Sequence, residues 1–123
     1  IFKTIEIMNK PIKIISLSKY PRVFNVDTPF WADLHHYYDI NTRGTNMAEF
    51  NLICSRRDLK IWTRMSMKPH IGWKVADAKK YFNIKGRGDS LLAEFMKVWD
   101  EYYDLKKELT DAIDGGYQIE LTT

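Results

Sequence analysis

The chain has 123 residues, which is the usual size of one domain, so we expect residues 1–123 to fold as a single domain. Its hydrophobic content of 45% and charged content of 28% are ordinary for a folded protein, and no stretch approaches the roughly 20 apolar residues of a membrane span. The net charge of +3 is unevenly distributed: residues 1–88 hold 16 Lys and Arg against 7 Asp and Glu, whereas residues 89–123 hold 3 against 9. This asymmetry suggests a basic face for a polyanion, or two halves that neutralise each other across the fold.

The single cysteine, Cys54, excludes an internal disulfide and is typical of a reducing compartment. Residues 1–8 contain Lys3 and Glu6 and no small-residue cleavage site, so they do not resemble a signal peptide. We therefore expect a cytoplasmic, intracellular protein that does not contact a membrane.

The first elements in chain order are predicted strands. Residues 1–7 alternate in character, residues 12–17 are β-branched and apolar, and the Pro11 turn between them suits a hairpin or a kinked edge. Asp27 and Thr28 can cap a helix that begins at Pro29 and runs to about residue 40.

Residues 47–67 fit two structures. Phe50, Ile53 and Cys54 indicate a helical face. In contrast, residues 59, 61, 65 and 67 are apolar, and together with Thr63 they alternate with Lys60, Trp62 and Arg64. This alternation has the two-residue period of a strand. We favour a β-hairpin with its connection at residues 55–58, whose outer face would display Trp62 between two cations.

The last third predicts two helices joined by a turn over residues 74–114. A short helix covers about residues 75–83 and ends at Asn83, which tolerates left-handed geometry. The turn 85–88 leads to a long amphipathic helix that Gly115 and Gly116 end, and residues 118–122 can return as a strand. The apolar residues of the long helix recur at spacings of 4 and 3: Leu91, Phe95, Val98, Tyr102, Leu105 and Leu109.

These elements predict a small α+β domain with N-terminal strands, a central β-hairpin, a helix-turn-helix-like pair and a short C-terminal strand. The long helix either packs across the whole domain or pairs with its twin, so a homodimer is a possible assembly.

Residues 73–95 resemble the helix-turn-helix of winged-helix and related DNA-binding domains. In that family an apolar residue ends the first helix, a residue able to turn left-handed follows, and an apolar residue fills the corner. Phe82, Asn83 and Ile84 match those three roles. A second resemblance is to the SAP module, a helix–loop–helix that binds DNA, through Val75, Ala78, Lys79, Phe82, Ile84 and Gly88. Both resemblances imply nucleic acid as the partner, DNA rather than RNA.

The charges predict which side would meet the nucleic acid. A recognition helix in the major groove should be basic or rich in amides, whereas the long helix is acidic. We therefore expect contact through the short helix and the turn, extended by the cations of residues 56–64, with Trp62 as a stacking surface. The predicted binding residues are Lys79, Lys80, Lys85, Arg87, Arg56, Arg57, Lys60, Trp62 and Arg64.

No pattern predicts a catalytic or metal site. His35 and His36 point about 100° apart on a helix, so they cannot share one metal ion, and no Gly-rich phosphate loop or nucleophile motif occurs. We expect a non-enzymatic nucleic-acid-binding protein without a cofactor, such as a small regulator. The alternative is a protein–protein adaptor or accessory subunit that dimerises through the long helix, residues 89–114.

Overall fold

A computed structural model describes residues 10–40 and 45–122. Within these ranges the chain forms two β-strands and four α-helices, so the predicted α+β class is confirmed. The strands are β1 (Ile12–Ser16) and β2 (Gln118–Thr122), and the helices are α1 (Pro29–Ile40), α2 (Met47–Met65), α3 (Val75–Phe82) and α4 (Gly88–Asp114). A 3₁₀ turn, Leu17–Lys19, follows β1.

The two strands pair in parallel, with Ile12 opposite Gln118 and Ser16 opposite Thr122. They agree with the strands predicted at residues 12–17 and 118–122. Ile15 is 1% exposed and is the residue that β1 contributes to the core. The strand predicted over residues 1–7, and therefore its hairpin with β1, lies outside the described residues.

Helix α1 begins as predicted. The Thr28 hydroxyl accepts a hydrogen bond from the Trp31 backbone N–H at 3.1 Å, and Pro29 occupies the first helical position, where a missing N–H costs nothing. Thr28 is buried, and its hydroxyl also donates a hydrogen bond to the Asn25 carbonyl at 2.8 Å. The hydroxyl therefore both accepts and donates a hydrogen bond, which fixes its position as the cap.

The predicted central β-hairpin is wrong, because residues 47–65 form one continuous helix, α2, through the proposed connection at residues 55–58. Asn46 caps it by accepting a hydrogen bond from the Glu49 N–H at 3.1 Å. Ser66, with φ at 55°, ends it in the left-handed conformation. Ala48, Leu52 and Leu59 are buried at helical spacing, so packing against the core selects the helix over the local period-2 pattern.

The helix pair over residues 75–114 is confirmed. Asn83 has φ at 54°, and the Ile84 N–H donates to the Lys79 carbonyl at 3.0 Å, which closes the end of α3. Gly86 is required in the following turn, because its φ is +122° and a Cβ there would lie 2.8 Å from the Ser90 hydroxyl oxygen. The turn therefore has a defined shape.

Helix α4 crosses the centre of the core. Aromatic rings of other helices contact it: Phe30 of α1 lies 6.0 Å from Tyr102, and Phe82 of α3 lies 5.2 Å from Phe95, between ring centroids. Its buried residues are Leu91, Leu92, Phe95, Val98, Tyr102, Leu105 and Ala112. The apolar stripe that suggested a twin helix is thus covered by the chain's own elements along most of its length.

Candidate nucleic-acid interface

Four of the predicted binding residues lie around the turn between α3 and α4. Lys79 and Lys80 are in the last turn of α3, where cations interact favourably with the helix dipole, and Lys85 and Arg87 follow in the connection. Lys80, Lys85 and Arg87 are exposed, and Lys79 is half-buried. We call these four side chains the basic surface.

Trp62 lies next to this surface. It shares a cavity of about 290 Å³ with Lys79 and Arg87, and the rest of the lining comes from Val75, Gly86, Gly88 and Leu91. The cavity brings a ring from α2 beside two of the cations, although more than ten residues of chain separate them.

The predicted grouping of Trp62 with Lys60 and Arg64 is wrong. Residues two apart share a face in a strand, but in a helix they point about 200° apart. Trp62 instead packs inward against Trp73, with 5.5 Å between ring centroids, and is half-buried. Arg64 lines a different cavity, of about 670 Å³, with Asp89 at the start of α4.

Arg56 and Arg57 have partners within the protein. The Arg56 guanidinium lies 4.8 Å from the centre of the Trp99 ring, a cation–π contact between α2 and α4. The Arg57 Nε donates to the Asp58 carboxylate at 2.9 Å, and this hydrogen bond raises the pKa of the guanidinium. Neither arginine is in the lining of the cavity that Lys79 and Arg87 share with Trp62.

The acidic side chains of α4 do not neutralise the basic surface. Glu101 and Glu108 pair with Arg22 and Lys19, at 3.5 and 3.1 Å. In the part of the chain that the structure describes, no carboxylate lies within ion-pair distance of the following cations: Lys60, Arg64, Lys68, Lys74, Lys79, Lys80, Lys85 and Arg87. Four of the eight acidic residues of α4 form ion pairs among the described residues, two with the N-terminal segment and two with lysines of α4 itself.

A polar cluster that the sequence did not predict lies at the other end of the domain. The Glu49 carboxylate accepts hydrogen bonds from the Lys106 ammonium at 2.7 Å and from the Tyr103 hydroxyl at 3.0 Å. Asn46 donates to the Tyr102 hydroxyl at 3.3 Å. Burial, with the hydrogen bond to Glu49, raises the pKa of Tyr103 to about 12, and burial raises that of Tyr102 further still.

This cluster borders an apolar cavity of about 400 Å³, which Tyr38, Leu109, Ile113 and Ile119 also line. Its polar residues come from positions 46–49 and 102–106. Their proximity depends on the packing of α2 against α4, so spacing along the chain could not reveal it.

No protein-family model matches the sequence, and comparison with the curated proteins and with the solved structures gives no match either. Within residues 10–40 and 45–122, no group of three or more His, Cys, Asp or Glu side chains is arranged to hold a metal ion. In the same ranges, no helix is both long enough and apolar enough to cross a membrane.

The basic surface consists of groups that can contact an anion. Ammonium and guanidinium groups without a carboxylate partner donate charge-assisted hydrogen bonds to phosphate oxygens. Asn83, Gly86 and the buried side chain of Ile84 hold the turn that carries Lys85 and Arg87. The backbone to which these two cations are attached therefore has a defined conformation.

Proposed function

We propose that the protein binds nucleic acid without catalysing a reaction, through the basic surface formed by Lys79, Lys80, Lys85 and Arg87. The observation that carries this proposal is the absence of any carboxylate ion-pair partner for these four cations among the described residues. Their positive charge is therefore available to phosphate groups.

The proposed docking mode differs from that of an ordinary helix-turn-helix. The exposed side of α4 carries Asp100 and Asp104, which phosphates would repel, and its other side is buried in the core. Phosphates would instead contact the end of α3 and the turn, and the exposed part of the Trp62 ring would offer an apolar contact to a base. Since the resemblance to helix-turn-helix domains implies DNA, duplex DNA is the first partner to test.

Charge reversal at the basic surface tests the proposal. We expect the variant Lys79→Glu/Lys80→Glu/Lys85→Glu/Arg87→Glu to lose binding to a fluorescently labelled DNA duplex, measured by fluorescence anisotropy. For the unchanged protein, four phosphate contacts predict a loss of affinity of roughly 100-fold between about 50 and 200 mM salt.

A matched control separates the basic surface from net charge. Lys79→Glu/Lys80→Glu and Lys10→Glu/Lys13→Glu change the charge equally, and Lys10 and Lys13 are exposed residues at the start of β1. We expect the first variant to bind much more weakly than the second, with equal circular dichroism spectra. Equal affinities, or a salt-independent affinity of the unchanged protein, would contradict the proposal.

A further inference from the structure

Helix α2 turns a mixed apolar and basic stripe toward solvent. Phe50, Ile53, Arg57, Ile61 and Arg64 follow one another at spacings of 3, 4, 4 and 3 residues, which places them in one line along the helix. Phe50 is 53% exposed and Ile53 is 49% exposed, both arginines are exposed, and Ile61 is half-buried. We call these five side chains the outer face of α2.

The outer face differs from the usual solvent side of an amphipathic helix, which is polar. None of its five residues is acidic. Arg57 pairs through Nε with the neighbouring Asp58 at 2.9 Å, and Arg64 has no ion-pair partner among the described side chains. Met47 and Met65 add exposed apolar surface at the two ends of the helix. Several large apolar side chains exposed on one side of a helix are typical of an interaction site.

The sequence of the stripe argues against a second copy of this chain as the occupant. Arg57 lies at its midpoint, seven residues from Phe50 and seven from Arg64. A twofold axis through that midpoint would set Arg57 against Arg57, and two guanidinium groups offer each other no hydrogen-bond acceptor.

The order of residues also argues against a membrane or a nucleic acid. Arg57 sits between Ile53 and Ile61, so inserting both isoleucines into a bilayer would pull a guanidinium into the apolar layer with them. Phosphate groups would satisfy the arginines but leave Phe50 and Ile53 without an apolar partner. The favoured occupant offers apolar and acidic groups on the same surface.

We propose that the outer face of α2 is a docking site for an amphipathic helix of another protein, whose contact stripe carries apolar residues together with Glu or Asp. The apolar side chains of the partner pack on Phe50, Ile53 and Ile61, and its carboxylates pair with Arg57 and Arg64. This docking site is separate from the basic surface. A result that refutes the docking proposal would therefore not affect the proposed binding of nucleic acid.

A designed peptide provides the probe. It is a fluorescein-labelled helix of about three heptads with Leu at the a and d positions and Glu at e and g, and its matched peptide carries Lys in place of Glu. We expect the Glu peptide to bind the full chain with a Kd of roughly 1–100 µM by fluorescence anisotropy, and the Lys peptide at least about tenfold more weakly.

Variants locate the site. Phe50→Ser/Ile53→Ser should weaken binding of the Glu peptide at least about tenfold, because it removes the apolar contact but no charge. Lys79→Glu/Lys80→Glu, on the basic surface, should leave the affinity within about twofold.

A charge exchange makes the test independent of folding. Arg57→Glu/Arg64→Glu should lose the Glu peptide and gain the Lys peptide, and an unfolded variant cannot show such a gain of binding. Three results would overturn the proposal. They are no binding of the Glu peptide, equal binding of the two peptides, and displacement of the Glu peptide by duplex DNA. Binding to vesicles of phosphatidylcholine and phosphatidylglycerol that Phe50→Ser/Ile53→Ser abolishes would overturn it in favour of a membrane surface.

Discussion

At the scale of single residues, Tyr20 shows how the N-terminal segment is fixed to α4. Its hydroxyl donates to one oxygen of the Glu108 carboxylate at 2.8 Å, and the Lys19 ammonium donates to the other at 3.1 Å. Burial alone would raise the pKa of Glu108, but these two hydrogen bonds outweigh it and lower that pKa. Burial and the same hydrogen bond raise the pKa of Tyr20 from 10.0 to about 12. The neutral phenol is therefore the form that the folded state stabilises.

The contribution of Tyr20 should depend on pH in alkaline solution. Because the pKa of Tyr20 is about 12 in the folded protein and 10.0 when unperturbed, its stabilisation is complete below pH 10 and is lost as the pH rises through 12. We expect Tyr20→Phe to lower the free energy of unfolding by about 1 kcal/mol at neutral pH, through the lost hydrogen bond. The variant should also lose less stability than the unchanged protein as the pH rises above 10.

Urea denaturation at neutral and alkaline pH measures both effects. Tyr117→Phe is the matched control, because Tyr117 is exposed and its hydroxyl has no hydrogen-bond partner among the described residues. If the two variants have the same stability at every pH, the hydrogen bond from Tyr20 to Glu108 does not contribute as argued.

At the scale of elements, the end of α2 is a point of backbone strain. Ser66 has φ at 55°. This left-handed conformation raises the conformational energy of a residue with a Cβ, but not that of glycine. We expect Ser66→Gly to stabilise the protein by about 0.5 kcal/mol, or roughly 1–3 °C in Tm, and Ser66→Val to destabilise it by at least about 1 kcal/mol. Differential scanning calorimetry of the two variants checks the order, and the reverse order would show that Ser66 ends the helix in another conformation.

The sequence predicted the elements whose local signals agree with their packing. Thr28 and Pro29 start α1, Asn83 ends α3, and the apolar spacing of α4 matches its buried face. Helix α2 was predicted wrongly, because its buried residues include the charged Asp58, while Ile61 is only half-buried and Met65 is exposed. Apolar residues that do not enter the core of the domain mislead a pattern that assumes they do.

In the candidate site, too, only the features that depend on local sequence were predicted. Lys79, Lys80, Lys85 and Arg87 flank one turn, and the left-handed conformation of Asn83 at its start was predicted from the local sequence. Trp62 also lies beside this turn, but it belongs to helix α2 and not to a predicted strand between Lys60 and Arg64. The direction of its side chain depends on the twist of the helix, which the strand prediction did not include. The polar cluster around Glu49 was not predictable, because it depends on contacts between distant segments.

At the scale of the whole molecule, the position of α4 bears on assembly. Its apolar residues are covered by the other helices, with Ile113 an exception at 63% exposure. Dimerisation through α4 would thus have little apolar surface to bury, and Arg57 would oppose a symmetric contact between two α2 helices. We expect a monomer.

Sedimentation velocity over a wide concentration range measures this directly, at low and at high salt. A sedimentation coefficient that does not change with concentration is the expected result at both. Dimers at high salt alone would show that charge repulsion prevents the contact, and dimers at low salt would contradict the prediction.

The parallel pairing of β1 with β2 has a consequence for biosynthesis. During translation β1 leaves the ribosome before its partner strand β2, and all four helices are made between them. Closing a loop of this length costs about 4 kcal/mol of chain entropy, so association of the helices, which brings the two strands close, favours formation of the sheet. The nascent chain therefore keeps the backbone donors and acceptors of β1 without their native partner until synthesis reaches β2, and a chain terminated just before β2 would keep them so permanently.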